Sequence, residues 1–239
     1  MTKNWQQFWS NYRNIEAKNE RDLYLQVGKT VNKKPIPSFI FHEMIRVIVD
    51  RLKLSTDDHL VDFCCGNGLV TCELAPEVRQ VTAMDFADHL ILAAKQFKQL
   101  PNISYHVGDI TQPLDQVLAG GMLPTKFLMN DSLGYFSPAT LHALLANIVH
   151  HMQGRPFSFL LTGIPNQDLK WNFYNTAERR ARHLENEKQA DNTNDGLGRW
   201  WSVGEIQELC TQMGLHATTE NQSANISDYR MDALITCRI

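Results

Sequence analysis

The chain has 239 residues, of which 43% are hydrophobic and 21% are charged, and its formal net charge is −3 at pH 7. This length and apolar content predict one domain with a sizeable core and leave little room for two independent domains. The small net charge argues against a large nucleic-acid surface, because neutralising phosphates requires clustered Lys and Arg.

The N-terminus and the cysteines indicate the compartment. Residues 1–7 are polar, and no apolar run approaches the roughly 20 residues of a membrane-spanning helix. The five cysteines include the adjacent pair Cys64 and Cys65 and show no C-x-x-C spacing. This pattern argues against disulfides and against a bound metal such as zinc. We therefore expect a cytoplasmic protein that makes no membrane contact.

The first 45 or so residues differ from the rest of the chain in pattern. Trp5, Phe8, Trp9 and Tyr12 recur at helical spacing. Packing against the rest of the protein is the favoured interpretation of such an aromatic stripe. The alternative is that this segment covers a bound ligand.

Two short stretches are basic. Residues 29–34 contain three lysines, and residues 178–182 contain three arginines. A solvated face is favoured over a phosphate-binding track in both cases. For the lysine stretch, contact with an anionic group of a substrate is the alternative.

Residues 60–70 (LVDFCCGNGLV) predict a buried strand, a glycine-bearing turn and the start of a helix. Gly66 and Gly68 lack Cβ, so the backbone can take positive φ and approach a ligand closely, and the helix start offers unpaired N–H groups. Asp62 lies in the strand end. It either accepts hydrogen bonds that shape the turn or serves the ligand, and both roles stay open.

A second predicted strand, at 80–84, ends in Asp85, nineteen residues after Gly66. At this spacing a carboxylate can reach the two hydroxyls of a ribose. We expect Asp85 to serve a ligand, because an acid that closes a strand has little structural purpose. A dinucleotide-binding turn would have Gly or Ala at position 71, and Thr71 argues against one.

Asp62, Gly66 and Gly68 match the first motif of the class I S-adenosylmethionine-dependent methyltransferases, and the chain resembles that family. The resemblance implies S-adenosyl-L-methionine as cofactor. Cys64 stands where the family has the first of three glycines, so the resemblance puts Cys64 beside the methionine part of the cofactor.

Later motifs of the family follow in order. The resemblance implies that Asp85 binds the ribose hydroxyls and that Phe86 lies beside the adenine. In residues 104–110 (SYHVGDI), it implies that Asp109 accepts a hydrogen bond from the adenine amino group and that the backbone of Ile110 contacts the ring.

The resemblance also assigns residues near the transferable methyl group. In residues 126–133 (KFLMNDSL), Asn130 and Asp131 hold the strand end that lies beneath this group. N-terminal helices often cover the cofactor in this family. Contact of Tyr12 or Gln26 with the cofactor is therefore a further alternative.

Periodicity predicts strands near 60–64, 80–84, 103–107, 126–130, 157–162, 215–221 and 230–238, with helices near 87–99, 138–152 and 203–213. Alternation of strands and helices indicates a parallel sheet with right-handed crossovers. The predicted fold is therefore α/β, a Rossmann-like doubly wound seven-stranded sheet that is mostly parallel and has a C-terminal antiparallel strand.

We expect residues 1–239 to form a single methyltransferase domain. Residues 1–45 are predicted to be an N-terminal helical lid. Residues 165–201 are predicted to be an insertion that caps the substrate site, since long loops at the carboxyl ends of strands commonly carry specificity. A lid that only shields apolar surface is the alternative for this insertion.

The implied chemistry is an in-line attack of a substrate nucleophile on the methyl carbon of a sulfonium ion. Asp131 is the first candidate for a catalytic group near the methyl, followed by His42 and Tyr135. An oxygen nucleophile of high pKa would need a general base, whereas a carboxylate or a free amine would not.

The favoured function is methylation of a small-molecule acceptor, and nucleic-acid binding is disfavoured. An RNA or protein methyltransferase and a methyltransferase-like scaffold without catalysis are the alternatives, and a NAD-dependent oxidoreductase ranks below them. The sequence does not fix the acceptor or the oligomeric state, for which a homodimer is one alternative.

Overall fold

A seven-stranded sheet forms the centre of the protein. The computed structural model describes residues 8–9, 16–118, 121–188 and 196–237. Two short strands, β1 (Thr30–Val31) and β2 (Lys34–Pro35), form a separate hairpin. The strands of the large sheet are β3 (His59–Phe63), β4 (Gln80–Asp85), β5 (Ile103–Val107), β6 (Lys126–Asn130), β7 (Ser158–Pro165), β8 (His216–Asn221) and β9 (Arg230–Thr236).

Nine helices are described. They are α1 (Glu20–Gln26), α2 (Ser38–Leu52), α3 (Leu69–Leu74), α4 (Asp88–Phe97), α5 (Asp115–Leu118), α6 (Pro138–Met152), α7 (Lys170–Phe173), α8 (Ala177–Lys188) and α9 (Val203–Gln212). Three-residue 3₁₀ turns follow α3, precede α6 and precede α7. No helix of the described residues is both long and apolar enough to cross a membrane.

The strand order of the large sheet is β5-β4-β3-β6-β7-β9-β8. Neighbours from β5 to β7 pair in parallel, whereas β9 pairs antiparallel with both β7 and β8. The predicted fold class is confirmed, including the antiparallel C-terminal strand. The strand order reverses at β3, which pairs with β4 on one side and β6 on the other, and ligands of open α/β sheets bind at the carboxyl ends of the strands at such a switch point.

Alternate residues of each central strand enter two separate apolar layers, as the two-residue period of a strand requires. Phe127 packs on one face, where its ring stacks on that of Phe63 at 5.9 Å, together with residues of α6 and α9. Leu128 packs on the other face with residues of α2, α3 and α4. Because both faces are covered, β3 is buried at all five positions.

The N-terminal segment is more varied than the predicted helical lid. It contains α1, the β1–β2 hairpin and the beginning of α2. The predicted boundary at residue 45 falls inside α2, which continues to Leu52 because Phe41, Ile48 and Leu52 are buried in one of the two apolar layers. Asn67 in the glycine turn donates hydrogen bonds to the Leu23 carbonyl and to Gln26, which holds α1 on the turn.

The predicted insertion at 165–201 contains α7 and α8 and an aromatic cluster. His183 stacks on Tyr174 at 4.0 Å between ring centres, and Trp171 and Phe173 pack edge-on to Tyr174. The segment returns to the core at Trp201, which is fully buried and donates a hydrogen bond from Nε1 to the Leu133 carbonyl at 3.1 Å.

Replacing Trp201 tests this attachment. The Trp201→Phe change removes the indole donor to the Leu133 carbonyl, which keeps its hydrogen bond from the Phe136 amide. The lost hydrogen bond costs about 0.5–1.5 kcal/mol, and the smaller ring also leaves a cavity. We expect urea unfolding to show this loss of stability. Trp171→Phe, at a residue that is 45% exposed, should change stability by no more than about 0.5 kcal/mol. Equal effects of the two changes would contradict the assignment of Trp201 as the anchor.

Candidate functional site

A cavity of about 390 Å³ lies at the carboxyl ends of β3, β4 and β6. The sheet contributes the strand ends and the loops that follow them. The N-terminal segment contributes Phe8, Trp9 and residues 27–29, and the end of the insertion contributes Gly196 and Leu197. The cavity is therefore walled by segments that are distant in sequence. Its charged lining residues are Lys29, Asp62, Asp85, Asp109, Asp131 and Arg230.

The glycine turn is fixed by the end of the neighbouring strand. The Gly66 amide donates to Asp85 Oδ2 at 2.9 Å, and the Ala87 amide donates to Asp85 Oδ1 at 2.9 Å. Cys64 and Gly66 both have positive φ, of 56° and 59°. Asp85 thus has a structural role, and the expectation that an acid closing this strand has little structural purpose was wrong.

Asp85 still faces the cavity, as a ligand-binding role requires. Burial raises the pKa of its carboxyl group, and the hydrogen bonds from Ala87 and Gly66 oppose that effect. Each carboxylate oxygen has two lone pairs, and the turn amides use one on each oxygen. The remaining acceptor capacity suits neighbouring hydroxyl groups such as those of a ribose.

Asp62 is 2% exposed and also lines the cavity. Its Oδ2 accepts a hydrogen bond from Thr71 Oγ1 at 2.6 Å. Burial raises its pKa to about 7, partly opposed by Thr71 and reinforced by the charge of Asp85. Asp62 therefore contacts both the helix that follows the turn and the cavity, so its two predicted roles remain compatible.

Residues predicted to surround an adenine ring lie together. Phe86, Asp109 and Ile110 all line the cavity. Asp109 Oδ1 accepts hydrogen bonds from the amide and the hydroxyl of Thr111. The wall combines apolar surface with a carboxylate acceptor, which suits a flat heteroaromatic ring that carries an amino group.

Asp131 follows β6, on the other side of β3 from Asp85 and Asp109, and it forms ion pairs with two cations. Lys29 Nζ binds its Oδ2, and Arg230 Nη1 binds its Oδ1 at 2.5 Å. Burial alone would raise the pKa of Asp131, but the charges of Lys29 and Arg230 outweigh it and hold the pKa below its usual value. A carboxylate with both oxygens bound to cations is a poor general base.

The backbone conformation around Asp131 makes room for this cluster. Asp131 itself has φ of 55°, and Gly163 has φ of 68° where the β7–β9 register shifts. A Cβ on Gly163 would overlap the Asp131 carboxylate. Bulges of this kind are common beside active sites, because they redirect one residue without breaking the sheet.

The other predicted residues have different places. Asn130 lines the cavity, and its Oδ1 accepts a hydrogen bond from Thr162 Oγ1 at 2.7 Å. Tyr135 also lines the cavity and donates from its hydroxyl to the Gly196 carbonyl at 3.2 Å. Cys64 lines it too, and burial raises the pKa of its thiol well above the usual value.

Three predicted residues do not line the cavity, and a fourth lies outside the described residues. Gly68 has φ of 73° and begins α3, where a Cβ would overlap the Tyr105 hydroxyl. Gln26 is buried beneath the turn, where it accepts the hydrogen bond from Asn67. His42 is exposed on α2 and is not one of the residues that line the cavity. Tyr12 lies outside the described residues.

Of the charged cavity residues, sequence reasoning missed two as site residues, Lys29 and Arg230. The lysine stretch at 29–34 gave a signal for Lys29, but the interpretation as a solvated face is wrong for this residue, whose side chain is 11% exposed. Arg230 gave no signal, because it is a single arginine at the start of a predicted strand. All five cysteines are described and none is in a disulfide.

Comparisons with known proteins agree with this geometry. Residues 60–154 match the family model of a methyltransferase domain. An uncharacterised methyltransferase of Schizosaccharomyces pombe is 37% identical over 54 residues, which cover 23% of this chain and 21% of that protein. The 23S rRNA (uracil(1939)-C(5))-methyltransferase RlmD of Haemophilus parainfluenzae is 27% identical over 96 residues, which cover 39% of this chain and 20% of that protein. The chain thus spans about a fifth of the length of these curated relatives.

Solved structures resemble nearly the whole chain. A SAM-dependent methyltransferase from Anabaena variabilis has a TM-score of 0.64 at 15% identity and covers 98% of this chain and 93% of its own. The magnesium protoporphyrin IX methyltransferase ChlM from Synechocystis PCC 6803, with bound SAH, has a TM-score of 0.58 at 13% identity. The match covers 98% of this chain and 94% of the ChlM chain. At these identities the likeness concerns the fold.

The raised pKa of Asp62 predicts a pH dependence of stability. The folded protein holds the Asp62 proton up to about pH 7, whereas the unfolded chain releases it near the ordinary value of 3.8. Stability contributed by the protonated carboxyl is therefore lost as pH rises between these values. Relative to Asp62→Asn, the free energy of unfolding of the wild type should fall by at most about 4 kcal/mol, since each pKa unit is worth about 1.4 kcal/mol.

The measurement is urea unfolding of both proteins at several values between pH 3 and 8, an interval that extends below the unfolded-chain value of 3.8 and above the folded value of about 7. The side-chain amide of the Asp62→Asn variant retains an oxygen that can accept from Thr71, so the comparison isolates the charge. A difference in stability that stays constant across this interval would refute the raised pKa.

Proposed function

We propose that this protein, which belongs to the class I S-adenosylmethionine-dependent methyltransferase family, methylates a small-molecule acceptor inside the cavity. The observation that carries the proposal is the arrangement of charge along the wall. Asp85 ends β4 and Asp109 follows β5 on one side of β3, whereas Asp131 of the Lys29–Asp131–Arg230 cluster follows β6 on the other side.

The residues present fit the cofactor of the family. Asp85 keeps acceptor capacity for ribose hydroxyls after binding the turn amides. Phe86 and Ile110 offer apolar surface to an adenine ring, with Asp109 beside them. Positive φ at Cys64 and Gly66 turns the chain sharply at the strand end. When bound, S-adenosylmethionine supplies a methyl group on a positively charged sulfur.

The size and cover of the cavity favour a small acceptor. Its volume of about 390 Å³ lies in the range of about 300–1,000 Å³ typical of small-molecule sites. Phe8, Trp9 and Leu197 form parts of its wall. An acceptor must therefore enter a covered space rather than lie on an open surface.

The RNA methyltransferase alternative has one observation in its favour, the partial match to RlmD. That match covers a fifth of the RlmD chain and less than half of this one. The net charge of −3 provides no general attraction for a polyanion. RNA affinity that falls steeply with salt in a filter-binding assay would favour this alternative over a small acceptor.

The chain's contribution to the reaction is chiefly to position the reactants. Holding two reactants in line is worth about 7–11 kcal/mol in well-oriented intramolecular cases. Asp131 is engaged by Lys29 and Arg230 and does not supply a free general base. The acceptor atom is therefore one that attacks without losing a proton to Asp131, such as a free amine or an oxygen that is already ionised.

Calorimetric titration with S-adenosylhomocysteine tests the proposal, with NAD titrated beside it. Asp85→Ala should weaken binding of S-adenosylhomocysteine by about 1–3 kcal/mol, because it removes charged hydrogen-bond acceptors. Asp88→Ala is the matched control, since Asp88 is an exposed acid three residues away, and it should bind as the wild type does.

The thermal midpoint of each variant separates a loss of cofactor contact from a loss of fold. Tighter binding of NAD than of S-adenosylhomocysteine would contradict the proposal. So would equal affinity of the Asp85→Ala and Asp88→Ala variants for S-adenosylhomocysteine.

A further inference from the structure

We propose that Lys29 and Arg230 bind an anionic group of an aromatic acceptor and thereby select the substrate. The inference rests on the proposed function, since it assumes that the acceptor enters the same cavity. It adds a chemical class to the substrate, namely a flat aromatic acid whose reacting atom is separate from its anionic group.

Three distant segments build the cationic site. Lys29 precedes the β1–β2 hairpin, Asp131 follows β6, and Arg230 begins β9. The Asp131 carboxylate lies between the two cations and binds one with each oxygen. Gly163 leaves the space that this carboxylate occupies. Asp131 is thus a positioning residue that holds both cations at the cavity wall.

Within the three residues of the cluster, positive charges outnumber negative charges by one. Lys29 and Arg230 contribute two positive charges, and Asp131 contributes one negative charge. The hydrogen bond to Asp131 uses one of the three donors of the lysine ammonium. The Arg230 Nε is buried and has no acceptor within hydrogen-bonding distance in the part of the chain that the structure describes. An anion would compensate the excess charge and occupy the remaining donors.

Aromatic side chains adjoin the cations. Trp9 and Tyr135 contact each other edge to face, with ring centres 5.3 Å apart, and both line the cavity with Phe136. The Arg230 guanidinium lies over the Tyr229 ring at 5.4 Å, which helps to fix its orientation. A planar ring can pack on this aromatic surface while its anionic substituent meets Lys29 and Arg230.

The bound anion is an anchor and not the attacking group. Two cations beside an anionic oxygen stabilise its charged form and lower its basicity. Lower basicity makes it a weaker nucleophile towards the methyl carbon. The methyl group is therefore transferred to a different atom of the acceptor, which the anchor holds in line.

The test compares naphthoate with naphthamide, which have similar shape and differ in charge. Both are titrated by calorimetry into protein saturated with S-adenosylhomocysteine. The wild type should bind naphthoate about tenfold more tightly or better, as expected for charged hydrogen bonds. Arg230→Gln and Lys29→Gln should each bring the ratio of the affinities for naphthoate and naphthamide close to one. Arg230→Lys should retain part of the preference for naphthoate because the charge remains.

Arg51→Gln is the matched control. Arg51 is mostly buried and ion-paired with Glu220, and it does not line the cavity. This variant should keep the full preference for naphthoate. Equal binding of naphthoate and naphthamide by the wild type would overturn the inference, as would a preference that survives in both glutamine variants.

A further titration shows whether the two cations bind the acceptor or the cofactor. Unchanged affinity of Arg230→Gln and Lys29→Gln for S-adenosylhomocysteine supports the inference and shows that the variants fold. If these variants lose S-adenosylhomocysteine but keep methylthioadenosine, which lacks the amino-acid part, the cations serve the cofactor carboxylate and the inference is wrong. Failure of the wild type to bind S-adenosylhomocysteine would instead contradict the proposed function.

Discussion

The Asp85 carboxylate accepts hydrogen bonds from the Gly66 and Ala87 amides, and the shape of the cavity depends on these two contacts. They fix the glycine turn after β3 against the end of β4. Asn67, in the same turn, binds the Leu23 carbonyl and so holds the N-terminal segment in place. One buried acid therefore orders the wall, positions its cover and still presents oxygen acceptors to a ligand.

The pKa values of two carboxylates of this cavity shift in opposite directions because their partners differ. Asp62 has a hydroxyl partner and a neighbouring acid, so burial raises its pKa to about 7. Asp131 has two cationic partners that more than offset burial and lower its pKa. The cavity thus has one region of hydrogen-bonding acids and another of fixed charge. This division suits an uncharged adenosyl group in the first region and a polar or anionic acceptor in the second.

The local sequence pattern predicted the seven strands of the sheet, because strand periodicity, glycine turns and helix caps depend on residues that are near neighbours in sequence. The position of Asp85 at the cavity was expected from its spacing after Gly66, and those of Asp109 and Asp131 were implied by the resemblance to the methyltransferase motifs. The pairing of Asp131 with Lys29 and Arg230 could not be predicted, since these partners are 102 and 99 residues away in sequence and the pairing depends on the bulge at Gly163. The continuation of α2 past residue 45 to Leu52 depends on the tertiary packing of Ile48 and Leu52, which local pattern does not reveal.

A crystal structure of the protein with S-adenosylhomocysteine tests the central claim most directly. The account predicts that the ribose hydroxyls lie within hydrogen-bonding distance of Asp85 and that the thioether sulfur faces the space in front of the Lys29–Asp131–Arg230 cluster. It further predicts that the glycine turn keeps its contact with Asp85. A nucleoside bound outside the cavity, or bound with its ribose away from Asp85, would contradict the account.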